Sequence, residues 1–143
     1  MRKHKIILLF VTIFSAIGLQ NCQVCDNCEV TPAPKQVSIV NNKNQNLIFG
    51  TNAVYNPDDI VIKNEFGEVV EFFTNTNNQS IDFTFSITSN KYFVILNASE
   101  TEEISFVYGK EKQIDCCNEF DVTTSTLVNN KVVSNDDAIT IVK

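Results

Sequence analysis

The side chains best suited to chemistry in this chain are its five cysteines. Cys22, Cys25 and Cys28 are spaced C-x2-C-x2-C, and Cys116-Cys117 is a vicinal pair far along the chain. In one reading Cys22 is lipidated, and Cys25, Cys28, Cys116 and Cys117 form two disulfides, which suits an even count and an oxidising exterior. Adjacent residues of a strand point to opposite faces, so Cys116 and Cys117 are better placed to bond to the tail cysteines than to each other. That pairing would staple the tail to the domain. In a second reading the thiolates bind a metal, since two-residue spacing resembles half of a zinc or iron–sulfur site. Cys28, however, is followed by Glu29-Val30-Thr31-Pro32 and not by the x3-C-P of an iron–sulfur run. In a third, Cys25-Asp26-Asn27-Cys28 is a redox pair, but no cation lies nearby to depress a thiol pKa, and Asp26 and Glu29 would raise it. Structural disulfides are the expectation, with metal binding or thiol activity by the same cysteines as the alternative and no cofactor assigned.

Carboxylates are the next candidates. Asp58-Asp59 follows Asn56-Pro57, and Asp136-Asp137 follows Asn135, which places adjacent hard oxygen ligands in turns. Neither matches a D-x-D-x-D-G calcium loop, so solvated turn residues are expected. Glu100, Glu102 and Glu103 precede an apolar stretch and read as a solvated acidic edge that discourages aggregation. Paired carboxylates can hydrolyse glycosides, but nothing here sets their separation, and there is no Trp to stack on a sugar.

What is missing excludes more. His4, Arg2 and Met1 are the only residues of their types, and all lie within the first 21 positions. Without those positions the chain keeps 8 Lys against 17 Asp plus Glu, a formal charge of −9. No Ser-His-Asp or Cys-His pair, His-ligated zinc site or bidentate Arg clamp can then be assembled. Nucleic acid is excluded as a partner, since neutralising phosphates takes clustered cations. No phosphate-cradling Gly-rich loop occurs. The chain is not expected to be an enzyme.

The elements that carry these residues begin with an export signal. Arg2, Lys3 and Lys5 form a cationic start, and an apolar run from Ile6 to Leu19 is too short to span a bilayer before Gln20, Asn21, Cys22 and Gln23 arrive. Two processing routes compete. Ala16 and Gly18 satisfy the small-x-small rule for cleavage after Gly18, which would release a soluble secreted or periplasmic protein. Leu19-Gln20-Asn21-Cys22 is instead similar to a bacterial lipoprotein signal, with Asn21 where Gly, Ala or Ser is usual. The second is favoured, because Cys22 falls directly after the apolar run and residues 22–36, with Pro32 and Pro34, have the composition of a tether. Stable anchoring takes more than one acyl chain.

From residue 37 to 143 the apolar pattern is two-fold, clearest at Ile81-Asp82-Phe83-Thr84-Phe85-Ser86-Ile87. Weaker runs span 37–40, 47–49, 60–62, 68–73, 104–108, 120–128 and 138–142. Tyr92-Phe93-Val94-Ile95-Leu96 is continuously apolar and reads as a central strand covered on both faces. Asn129-Asn130 between two apolar runs reads as a two-residue hairpin. There is no amphipathic helix. Eight to nine short strands at roughly ten-residue spacing predict an antiparallel β-sandwich of immunoglobulin-like type, with a small β-barrel as the alternative. Phe72, Phe73 and Tyr92 can form an exposed aromatic patch, although eleven Phe in a Trp-less domain are first of all its core.

Leu47-Ile48-Phe49-Gly50 running through Asn52-Ala53-Val54-Tyr55-Asn56-Pro57-Asp58-Asp59-Ile60, then Val107-Tyr108-Gly109, Cys116-Cys117 and Ile139-Thr140-Ile141, resembles the small uncharacterised lipoproteins common in Bacteroidota. The resemblance implies a non-enzymatic envelope protein held to membrane lipid through an N-terminal anchor, with an envelope protein or glycan as its partner. It carries no functional residues over.

Overall fold

The computed structural model describes residues 34–112, 119–134 and 137–143. Ten strands follow in chain order: β1 (Lys35–Val40), β2 (Val61–Asn64), β3 (Val69–Val70), β4 (Phe72–Asn75), β5 (Ser80–Phe83), β6 (Lys91–Ile95), β7 (Thr101–Lys112), β8 (Glu119–Val128), β9 (Lys131–Ser134) and β10 (Ala138–Val142). They form a four-stranded sheet of order β10-β1-β5-β4 and a six-stranded sheet of order β3-β2-β6-β7-β8-β9. Their inner faces share one core, so the chain is the expected all-β sandwich and not a closed barrel. Alternation builds that core. Val37, Ile39, Ile81, Phe83, Ile139 and Ile141 of the first sheet face Ile62, Tyr92, Val94, Ile104, Phe106 and Val128 of the second, all buried. Each such side chain contributes on the order of 1.5–3 kcal/mol by leaving water.

Several local expectations are corrected. The strands number ten among the described residues, and β7 and β8 are long, pairing with a register shift between Val107 and Tyr108. The sheets are not wholly antiparallel, since β1 pairs with β10 in parallel from Gln36↔Ala138 to Val40↔Val142. Strand β1 takes in Lys35 and Gln36, which the composition assigns to the tether. Residues 47–49 are a buried turn, because Asn46 Oδ1 accepts from the backbone N–H of Ile48 and Phe49 and so competes with a ladder. The run 68–73 is two strands: the chain crosses from one sheet to the other at exposed Glu71, with Val70 and Phe72 packed on the core from either side. Strand β5 stops at Phe83, and Ile87 is exposed because Ser86 and Thr88 turn the chain. Strand β6 lies inside its sheet, but Phe93 and Ile95 on its outer face are only half-buried.

The Asn129-Asn130 hairpin forms as expected, with φ of 48° and 66°, the pair of positive values that a tight two-residue turn requires.

Candidate functional site

Three places gather polar or exposed side chains that the core does not explain. The first is the corner where the chain enters the sandwich. Lys35 is buried, its ammonium 2.6 Å from Asp137 Oδ1 and 5.4 Å from the centre of the Phe85 ring. The Gln36 N–H donates to the Asp137 carbonyl at 2.8 Å. A buried lysine is tolerated only with a counter-charge, and the aromatic face adds to it. Phe85 in turn stacks on Phe106 (4.9 Å between ring centres) and Tyr108 (6.2 Å), so this corner is tied to β7. Beyond Tyr108 the pairing of β7 with β8 runs on to Lys112↔Glu119. The start of β1 and the outer arm of this hairpin therefore share one end of the molecule.

The second place is acidic. Glu102 is an inward-facing residue of β7, with its side chain 7 % exposed. Its carboxylate accepts from Lys143 Nζ at 2.5 Å and from Asn129 Nδ2 at 2.6 Å. Glu100 accepts from Tyr55 Oη at 2.5 Å and lies 3.8 Å from the same ammonium. Glu103, on the outer face, accepts from Lys91 at 3.1 Å and from Ser105. The expected solvated edge is thus three differently engaged carboxylates. The Tyr55 hydroxyl bond holds Glu100 below the usual carboxylate range, and the Lys91 bond does the same for Glu103. Tyr55 is pushed up to about 12, first by burial and then by donating to Glu100. These groups tie β7 to the end of β10 and to the loop before β2, which is a structural use of charge.

The third place is an edge of the sandwich. The unpaired sides of β3 and β4 flank a groove of about 310 Å³, lined by Ile60, Ile62, Val70, Glu71, Phe72 and Phe73 among others. Phe73 is 74 % exposed, Phe66 68 % and Val69 67 %.

Of the candidates read from the sequence, Asp58 and Asp59 are exposed in a single 3-10 turn capped by Asn56. Asp137 pairs with Lys35, while Asp136 lies outside the described residues. Phe73 is exposed, Phe72 half-buried and Tyr92 buried, its hydroxyl bonded to the backbone of Ser86. The expected aromatic patch therefore loses Tyr92. Cys22, Cys25, Cys28, Cys116 and Cys117 all lie outside the described residues. Among the described residues no three His, Cys, Asp or Glu are grouped to hold a metal ion, and no helix is long and apolar enough to cross a membrane.

The class defined here is a two-sheet all-β sandwich, with ten strands among the described residues. Comparison with family models, with curated proteins and with solved structures gives no match to this chain.

Proposed function

We propose that this chain is an exported envelope lipoprotein, lipidated at Cys22, that displays a non-enzymatic β-sandwich as an interaction module. The observation that carries the reading is the leader itself: three cations, an apolar run that ends at Leu19, and a cysteine directly after it, followed by a proline-containing tether. Support comes from the far end of that tether, where Lys35 is locked into the core within one residue of Pro34. A tether that pulls on a membrane-held domain needs such a fixed point. The shared end of β1 and the β7–β8 hairpin supports disulfides between Cys25 or Cys28 and the Cys116-Cys117 pair. Cys28 lies seven positions before Lys35, and roughly 3.3 Å per residue gives it a reach of about 23 Å from there.

Membrane fractionation of wild type and Cys22→Ala, with intact mass of the mature chain under non-reducing conditions, tests this. Wild type in the membrane fraction carrying acyl mass on Cys22, a soluble variant, and a mass deficit of four hydrogens from two disulfides are the expected results. A soluble wild type beginning at Leu19 defeats the anchor, and a bound metal in place of disulfides defeats the staple.

A further inference from the structure

The β3–β4 edge combines three features that occur together nowhere else among the described residues: open strand edges, an apolar groove and carboxylates without an ion pair. Of the nine large apolar side chains exposed among the described residues, three fall between residues 66 and 73, including both phenylalanines. Exposed clusters of this kind mark interaction sites. Strand β4 ends the first sheet, so the backbone groups on its outer side have no ladder partner. Edge strands are normally protected by a lysine, a proline or a bulge. Phe72-Phe73-Thr74-Asn75 contains neither lysine nor proline and pairs with β5 in continuous register.

The same edge carries Glu68, which accepts from Asn64 Nδ2 at 2.6 Å, and Glu71, which lines the groove, and neither is ion-paired among the described residues. Lys63 is the one cation of this edge. A second copy of this acidic chain would bring like charges together here, whereas a cationic segment would be drawn in.

We propose that the β3–β4 edge binds an extended cationic peptide segment, alternating Lys or Arg with large apolar residues, which adds to β4 as a fifth strand. Side chains of an added strand alternate between faces. One set enters the groove beside Phe72 and Val70, the other lies against Phe73, and the cations meet Glu68 and Glu71. Main-chain bonds supply affinity and the groove supplies selectivity. The inference rests on the reading of the domain as an interaction module but not on the lipid anchor, so failure of fractionation leaves it standing and its failure leaves the anchor standing.

The test uses the chain from residue 22 with Cys22→Ala and a dye-labelled peptide of alternating Lys and Leu, read by fluorescence anisotropy and by amide shifts in 1H–15N spectra. Saturable binding with shifts concentrated at residues 69–75 is expected. Phe73→Asp, on an exposed side chain and with its fold checked by circular dichroism, should weaken binding at least ten-fold. Glu71→Lys should weaken it several-fold and flatten its salt dependence, while Val132→Asp on the opposite edge should leave it unchanged. The proposal is overturned by no binding, by equal binding of the peptide with Glu in place of Lys, or by an equal response to Phe73→Asp and Val132→Asp, which would mark unspecific charge attraction or an unspecific loss. Shifts at β4 that grow with protein concentration in the absence of peptide also overturn it, in favour of a second copy.

Discussion

Tyr55, Tyr92 and Tyr108 are the only tyrosines, and each is held above its ordinary pKa chiefly by burial. A free tyrosine ionises near pH 10. The folded chain holds these three protons more tightly than the unfolded chain, so the stability they lend is complete below about pH 10 and is lost as pH rises through the folded values. With no Trp to interfere, tyrosinate absorbance should stay silent through about pH 10 and then rise in one step, together with loss of the β-sheet circular dichroism. One third of the absorbance titrating at the ordinary value, with the fold intact, would show that Tyr55 is not held by Glu100. Tyr55→Phe should leave Glu100 nearer the usual carboxylate range. At this scale the sequence is legible only where period is applied without exception. Carried through the acidic run, the alternation Glu102, Ile104, Phe106 places Glu102 on the inward face. Its partner Lys143 is not legible, because 41 residues separate them and only the pairing of β10 with β1 brings them together.

Long alternating stretches announced their strands, and the Asn129-Asn130 turn was equally readable because positive φ has a chemical signature. Short stretches failed where a side chain outcompeted the ladder, as Asn46 does before Ile48, or where the chain changes sheets without losing its apolar character, as at Glu71. The register shift in the β7–β8 hairpin belongs to neither kind, and a close approach lies beside it. A Cβ on Gly109 would stand 2.6 Å from Thr124 Cγ2. Thr124 cannot simply rotate, since its hydroxyl donates to the Val107 carbonyl at 3.0 Å and a β-branched side chain has few rotamers. Gly109→Ala should therefore cost about 1–3 kcal/mol in urea unfolding. Adding Thr124→Ser, which removes Cγ2 and keeps the hydroxyl, should recover most of that loss, with a coupling of about 1 kcal/mol or more. Independent effects of the two changes would mean that the backbone, not Thr124, yields.

At the scale of the whole molecule β1 is closed by β10. Residues 35 and 142 bracket the other strands, and their own strands pair in parallel, a connection of long sequence separation that no local pattern can encode. The two-sheet architecture was legible from strand count and spacing, but this closure was not. It also makes the final strand indispensable. Deleting Ala138–Lys143 removes Ile139 and Ile141, 1 % and 2 % exposed, bares the edge of β1 over Val37 and Ile39, and strands the Glu102 carboxylate without its ammonium. Two buried isoleucines are worth roughly 2–5 kcal/mol each, and an uncompensated buried carboxylate costs about 3 kcal/mol more. Such a loss equals the whole stability of an ordinary domain, roughly 5–15 kcal/mol. The chain ending at Asp137 should therefore show collapsed amide dispersion and no cooperative transition, while one beginning at Pro34 and ending at Lys143 unfolds cooperatively when measured in reductant. A cooperative transition in the chain ending at Asp137 would show that β1 needs no partner on that side, and that the closure between the ends of the sandwich is dispensable.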